Sequence, residues 1–210
     1  MFSLLARSRA LVGVYAFMFT LMVMMYSVAV FLPQRLGELG IEAPILVSAF
    51  LVGMTAMSTA VGFAYPRIRA RASYLAMMRF AAATWVAAFL ILGMATEPLL
   101  LVVATLFLGL GNGVLLSALM VMTAELVPES ALGRATALQS TVIFLGQFVS
   151  PLLVGPVMSS TSISTGYLVV AMAAAAVLAV LLLIRAAPRA PEVFADRRPG
   201  GALLGEAAGH

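Results

Sequence analysis

The stretch Leu108–Met158 reads LGLGNGVLLSALMVMTAELVPESALGRATALQSTVIFLGQFVSPLLVGPVM and contains two apolar runs separated by a short polar turn. The first uncharged run ends before Glu125, and the second begins at Ala135. Both runs are long enough to cross the hydrocarbon core of a bilayer, for which about 20 residues suffice. Because backbone polar groups in lipid are satisfied only within helices or closed barrels, the stretch predicts two antiparallel spanning helices.

The composition of the whole chain agrees with a membrane location. Of its 210 residues, 63% are hydrophobic and only 10% are charged, whereas soluble domains carry about 25% charged residues. All basic residues are arginines that lie between apolar runs, which membrane topology explains and nucleic-acid binding does not. The chain has no cysteine, which excludes disulfides, thiolate catalysis and cysteine-based metal sites.

Uncharged runs predict where the chain crosses the bilayer. They are Ala10–Pro33, Ala43–Pro66, Phe80–Thr96, Pro98–Ala124 and Ala135–Ile184. The last run is too long for one crossing, and the polar cluster Ser159–Gly166 divides it. We therefore predict an all-α integral membrane protein with six transmembrane helices over residues 10–185. Residues 1–9 form a cytoplasmic N-terminal segment, and residues 186–210 form a disordered cytoplasmic tail.

The arginines also predict orientation. With six spans both termini lie on one side, and that side holds every one of the 12 arginines except Arg35. Basic residues concentrate in cytoplasmic segments of membrane proteins. We therefore expect a multi-pass protein of the cell membrane, either the inner or the plasma membrane, with both termini in the cytoplasm.

One face of the first helix carries aromatic and thioether side chains. Tyr15, Phe19, Met22 and Tyr26 recur at helical spacing. This stripe has two interpretations, which are packing against a neighbouring helix and the wall of a cavity that accepts varied apolar ligands.

The fourth helix combines a ridge of small residues with one amide. Gly109, Gly113 and Ser117 follow each other at four-residue spacing, which is typical of close helix packing in lipid. Asn112 lies beside this ridge, on a face with Leu116. Its carboxamide needs a partner in hydrocarbon, so it either lines a cavity or bonds to a neighbouring helix.

The fifth helix is also unlike a passive lipid-facing helix. Gln147 lies at the edge of a stripe of small and polar residues, and Pro151 removes a backbone donor. The carbonyl that Pro151 leaves without a hydrogen bond is tolerated only against protein or water. We therefore assign Gln147 and Pro151 to helix packing.

The spans hold none of the residue groups that enzymes need. We find no ionisable residue near the middle of a span, no metal-ligand spacing and no nucleophile with a base. We therefore expect no enzymatic activity, no catalytic residue, no metal and no cofactor.

The central hairpin resembles the second half of a major facilitator superfamily transporter. In that family a Gly-rich tenth helix is followed by a loop with Pro and then by adjacent Gly and Arg. The corresponding residues here are Gly109, Gly111, Gly113, Pro128, Gly133 and Arg134. The run Phe144–Val157 is similar to the eleventh helix of drug-efflux members.

A second matching segment lies between the second and third helices. The family repeats a Gly-Asp-basic loop there, and this chain has GFAYPRIRAR at 62–71. The glycine and the basic residues match, and the acidic residue is absent. The matching residues are Gly62, Arg67, Arg69 and Arg71.

The resemblance implies an architecture and a function. The six helices would be helices seven to twelve, a half-bundle of two three-helix repeats. The first and fourth would line a cavity, the second and fifth would face the other half, and the third and sixth would lie outside. Cavity-lining candidates are Tyr15, Phe19, Met22, Tyr26, Asn112 and Leu116.

Transport would proceed by alternating access between two halves. The implied function is secondary transport of small, fairly apolar molecules, in the direction of efflux. The implied partner is a second six-helix half, which is a missing N-terminal half, a second copy or another chain. The alternative is a non-transporting half-size protein or fragment that acts as a partner-binding scaffold.

Overall fold

The computed structural model describes residues 9–184 and contains six α-helices within that range. The helices are α1 (Arg9–Glu38), α2 (Pro44–Arg71), α3 (Tyr74–Met94), α4 (Pro98–Leu126), α5 (Glu129–Ser160) and α6 (Ile163–Leu183). All six are long and apolar enough to cross a membrane, so the prediction of an all-α protein with six spans is confirmed. The predicted C-terminal tail lies outside the described residues.

Local sequence explains where the helices begin. The Ser73 hydroxyl caps α3 by accepting a hydrogen bond from the Ala76 N–H (3.2 Å). Ser162 caps α6 in the same way, and serine at this position satisfies one of the free N–H groups of a helix start. Pro44 opens α2, where its missing N–H has no cost. The turn before α2 contains Gly40, whose positive φ of 79° is a conformation that favours glycine.

Several helices extend beyond the uncharged runs. α1 continues through Pro33 to Glu38, so Arg35, expected in a loop, is helical. α2 ends at Arg71, and the predicted basic loop is in fact the last turns of this helix. A helix of 30 residues, such as α1, is about 45 Å long. It therefore exceeds the ~30 Å hydrocarbon core, and its charged ends remain helical outside that core.

α1 and α4 occupy the centre of the bundle, and each packs against one outer helix. α2 packs on α4, and α5 packs on α1, in both cases with parallel direction. α3 packs between α4 and α6. We call the end with the α2–α3 and α4–α5 turns the lower end, and the opposite end the upper end.

Burial is uneven among the helices. Each helix has one most apolar stretch of 18 residues. The buried share of that stretch is one half in α1 and in α4, 22% in α5 and zero in α2. The core lies between α1, α3, α4 and α6, and its fully buried side chains include Met18, Phe89 and Leu108. α2 and α5 therefore leave most of their surface uncovered on the described part of the chain.

Candidate functional site

A carboxamide lies at the middle of α4. Asn112 is half-buried, and its Nδ2 donates a hydrogen bond to the Ser58 hydroxyl of α2 (3.3 Å). Its Oδ1 is buried and has no hydrogen-bond partner in the described structure. Leu116, one turn further along α4, is half-buried beside the main core. Asn112 thus links two helices and keeps a free acceptor.

The aromatic stripe of α1 divides into two parts. The Tyr15 hydroxyl donates to the Ala135 carbonyl (3.0 Å), and only 5% of Tyr15 is exposed. Met22 is buried where α1 meets α5 at Gly146. These two residues therefore belong to the α1–α5 contact, because α5 covers the face on which they lie. They do not form an open wall in this structure.

The other two residues of the same stripe are more accessible. Tyr26 is 38% exposed. Phe19 is half-buried and borders a cleft of about 300 Å³ between α1, α5 and α6. The cleft lining is apolar apart from the Thr20 hydroxyl, which donates to the Ala16 carbonyl of its own helix. Among the predicted cavity residues, Phe19, Tyr26, Asn112 and Leu116 keep surface available; their role as ligand contacts remains a prediction.

Glycines set the closest helix contacts. A Cβ on Gly109 would lie 2.9 Å from the Met57 Cβ, and a Cβ on Gly113 would lie 2.8 Å from the Val61 Cβ. Both also touch backbone carbonyls of α2, at Met54 and Ser58. Only glycine permits this approach of α4 to α2.

The other predicted packing residues lie at the edges of these contacts. The Ser117 hydroxyl faces Gly62, at 3.8 Å from where a Cβ would stand. Gln147 and Pro151 are half-buried on α5, which continues as one helix through the proline. Near them, the Ser150 hydroxyl donates to the Val23 carbonyl of α1 (2.6 Å).

The lower ends of α2, α3 and α4 meet in a polar cluster. The Arg69 guanidinium lies 4.1 Å from the centre of the Tyr74 ring, a cation–π contact. Glu125 of α4 interacts electrostatically with both residues. Tyr65 packs beside them, and the hydroxyls of Tyr65 and Tyr74 are buried among these groups. We call Tyr65, Arg69, Tyr74 and Glu125 the lower cluster.

The remaining motif residues lie on the surface of the lower end. Arg67 is exposed on α2, in line with the exposed Phe63. Pro128 precedes α5, and its carbonyl accepts from the Ala131 N–H (2.9 Å). Gly133 and Arg134, expected in the loop, are exposed residues in the first turns of α5. Arg71 ends α2 and is also exposed.

Arg35 and Arg79 join the ends of helices, a role that the sequence did not predict. Arg35 is 7% exposed; its Nε donates to the Leu92 carbonyl (3.1 Å), its Nη2 to Ala95, and its Nη1 to the Glu38 carboxylate (2.6 Å). It thereby places a cation at the carbonyl end of α3, where the helix dipole is negative. An arginine that ends a long apolar run was the only signal for this role.

Arg79 makes the corresponding contact at the lower end. Its Nε donates to the Leu181 carbonyl (3.0 Å) and its Nη2 to the Ile184 carbonyl (2.7 Å). α3 is therefore fastened to α1 at its upper end and to α6 at its lower end. Gln139 is another residue without an assignment: it is 4% exposed on α5, and its Nε2 has no hydrogen-bond partner in the described range.

The uncovered faces of α2 and α5 are apolar. On α2 the Thr55 and Thr59 hydroxyls bond to carbonyls of their own helix, both at 2.9 Å, so these two hydroxyls add no free donor to the outward surface. On α5 the side chains Phe144 and Phe148 are 68% and 69% exposed. Among residues 9–184 there is no group of three or more His, Cys, Asp or Glu residues that could hold a metal ion.

Comparisons with known proteins agree with this geometry. The sequence profile described as Major Facilitator Superfamily matches residues 11–208. The fold is similar to the crystal structure of a peptide transporter, POT (E310Q mutant), in complex with sulfate, with a TM-score of 0.69 and 15% sequence identity. The match covers 83% of this chain and 37% of the transporter chain. No curated protein matches the sequence.

Proposed function

Because the chain belongs to the major facilitator superfamily, we propose that it acts as one six-helix half of a secondary membrane transporter. The chain spans 37% of the length of the peptide transporter that it resembles, so a second half of similar size completes the protein. That half is an N-terminal half, a second copy or another chain. Alternating access then moves a small molecule by rocking one half against the other.

The observation that carries this proposal is the uncovered surface of α2 and α5. In lipid, covering this surface yields no hydrophobic free energy, because the lipid tails are equally apolar. Association is instead favoured by van der Waals packing against a partner of matching shape. Small and hydroxyl residues on α2, such as Thr55 and Thr59, allow a partner helix to approach closely. The partner half therefore covers α2 and α5, with α1 and α4 behind them.

The substrate site then lies between the halves, on the sides of α1 and α4 that face the partner. Tyr26, Asn112 and Leu116 are its candidate contacts in this half, because they keep accessible surface. Tyr15 and Met22 support the wall from within the α1–α5 contact, and Phe19 borders the cleft between α1, α5 and α6. The aromatic and thioether character of this region favours small, fairly apolar compounds, and we propose efflux as the direction.

The lower end faces the cytoplasm in this proposal, because the arginines concentrate there. The lower cluster then holds the cytoplasmic ends of α2, α3 and α4 together. The residues Gly62, Arg67, Arg69, Arg71, Pro128, Gly133 and Arg134 form the gating motif at this end. Since the acidic residue of the family loop is absent, Glu125 supplies the negative charge near Arg69.

The test uses the assembly that forms in native membranes. A tag on the chain allows purification in mild detergent, and the mass of the assembly identifies the second half. We expect liposomes with this assembly to move a panel of small, fairly apolar fluorescent compounds across the bilayer faster than protein-free liposomes do. Equal rates for every compound in the panel, with the intact assembly present, would refute the transport proposal.

A second function is favoured by one specific observation. Charged side chains in residues 9–184 lie near helix ends, and none lies at the middle of a span, where coupled transporters commonly hold an ionisable group. A scaffold that binds one membrane partner without transport needs no such group. Stoichiometric co-purification of a partner that lacks the six-helix architecture would support this alternative.

A further inference from the structure

We propose that the cleft between α1, α5 and α6 binds one phospholipid of the upper leaflet, with an acyl chain in the cleft and an amine-bearing zwitterionic headgroup at the turn between α5 and α6. We call this cleft the lateral cleft. It is separate from the substrate region between the two halves. Its walls include Phe19 and Val23 of α1, Leu153 and Val157 of α5, and Val169 and Ala173 of α6.

The lateral cleft opens towards lipid and not towards the second half. Leu153 and Val157 follow Phe148 by five and nine positions, which places them about 140° and 180° around α5 from Phe148. Phe148 lies on the face that the second half covers in the proposed assembly. The rim of the cleft is open on the other side, where Leu153 is 56% and Val169 is 38% exposed. In a bilayer that side contacts lipid.

The dimensions of the cleft fit one acyl chain. Its α6 wall extends from Gly166 to Ala173, about 10 Å at 1.5 Å per residue, and one leaflet contributes about 15 Å of the hydrocarbon core. A methylene group occupies about as much space as a water molecule, roughly 30 Å³, so a cleft of about 300 Å³ holds a segment of about ten carbons. The Thr20 hydroxyl is bonded within its own helix, so an alkyl chain fills the cleft by van der Waals contact alone.

The upper mouth of the cleft presents hydrogen-bond acceptors. Val157 of the lining lies one turn before Thr161, in the turn that leads to α6. The hydroxyls of Ser159, Ser160 and Thr161 donate to the carbonyls of Pro156 and Val157, at 3.2, 3.2 and 2.6 Å. A hydroxyl has one proton and two acceptor lone pairs, so these three hydroxyls offer only lone pairs to a ligand. A headgroup that donates hydrogen bonds matches them.

The charges at the upper end favour a headgroup with a cation. Within residues 9–184 this end carries one arginine and three glutamates, which are Arg35, Glu38, Glu42 and Glu97. The Arg35 guanidinium is already bound to Glu38 and to carbonyls at the end of α3. Anionic lipids are held by clusters of basic residues, whereas this end has an excess of negative charge. Phosphatidylethanolamine fits it, because its ammonium group supplies a cation and three N–H donors and the lipid has no net charge.

The first test identifies the headgroup that the protein retains. The purified assembly is incubated in mild detergent with equal amounts of four lipids that have the same acyl chains, and mass spectrometry counts the lipids retained. They are phosphatidylethanolamine, its N,N-dimethyl derivative, phosphatidylcholine and phosphatidylglycerol. We expect phosphatidylethanolamine to exceed phosphatidylcholine by about fivefold, the value of one net hydrogen bond, with the dimethyl derivative between them. Equal retention of phosphatidylethanolamine and phosphatidylcholine, or preferential retention of phosphatidylglycerol, would overturn the inference.

The second test locates the bound lipid. Ala173→Phe places a ring in the open cleft and should remove one phosphatidylethanolamine per chain. Ala175→Phe is the matched control, because Ala175 is also exposed and lies about 160° around α6 from Ala173; it should retain the lipid. Retention of the full number of lipids by Ala173→Phe, at an unfolding temperature equal to that of the parent, would overturn the lateral cleft as the site.

A third variant leaves the cleft and the spans unchanged. The triple substitution Ser159→Ala, Ser160→Ala and Thr161→Val removes the hydroxyl acceptors at the mouth. It should lower the ratio of phosphatidylethanolamine to phosphatidylcholine to about one, and an unchanged ratio would contradict the headgroup assignment. All three tests count bound lipids and need no moving compound, so a failure of the transport proposal and a failure of this inference are distinguishable.

Discussion

Replacing Gly113 by alanine should separate α4 from α2. The added Cβ would stand 2.8 Å from the Val61 Cβ and would also meet the Ser58 carbonyl. Carbon atoms in contact prefer a separation of about 3.5–4.0 Å, so the two helices must move apart by roughly 1 Å at this level. Overpacking of this kind costs about 1–3 kcal/mol of stability.

Gly53 provides the matched control on α2. It also lies inside a helix, but a Cβ there meets nothing within 4 Å. Gly53→Ala should therefore be neutral or stabilising, by at most about 1 kcal/mol, because alanine is the better helix former. Thermal unfolding in detergent, followed by the fluorescence of the single tryptophan Trp85, measures both variants.

The same substitution has a functional consequence. The Asn112–Ser58 bond lies next to Gly113 and already measures 3.3 Å, so a further separation of about 1 Å breaks it. Gly113→Ala should thus lose both stability and transport. If Gly113→Ala unfolds at the same temperature as Gly53→Ala, the close α2–α4 contact is not what fixes these helices.

Three further changes address other parts of the chain. Arg35→Gln should destabilise the protein by about 3 kcal/mol, because it leaves the helix-end carbonyls and Glu38 without their buried cation; an unfolding temperature unchanged from that of the parent would argue against this fastening. Tyr74→Ala should loosen the lower end and increase cross-linking between cysteines introduced into α2 and α3 of this cysteine-free chain, whereas Tyr74→Phe keeps the cation–π contact with Arg69 and should not. Phe148→Asp, on the uncovered face of α5, should abolish co-purification of the second half while the chain stays folded; retention of the partner would place the interface elsewhere.

The six spans could be predicted because hydropathy is a property of each segment by itself. The run Pro98–Ala124 appears as α4, and the polar cluster after α5 marks the break before α6. The ends of the helices could not be predicted in this way. Arg35 remains helical because its side chain finds carbonyls on α3, 57 and 60 residues away, and a local pattern does not contain that information.

In the candidate site, too, local sequence predicted some features, while those that depend on distant contacts could not be predicted. Helical periodicity identified correctly that Tyr15 and Met22 share a face, since that depends only on spacing. It could not tell which neighbour covers this face, and the structure gives α5. Asn112 was expected either to line a cavity or to bond to another helix. The structure adds Ser58 as its partner and leaves one end of the amide free.

The pairing of α1 with α5 also determines the order in which the protein can be assembled on the ribosome. The bonds from Tyr15 to Ala135 and from Ser150 to Val23 join residues that are 120 and 127 positions apart. At about 5–20 residues per second, α1 waits roughly 6–25 s after its own synthesis before α5 exists. During that interval its buried face contacts lipid or the insertion machinery. Before α5 arrives, α1 can contact only the helices made earlier, as Arg35 does at the carbonyl end of α3, and the half-bundle closes only when its fifth helix is inserted.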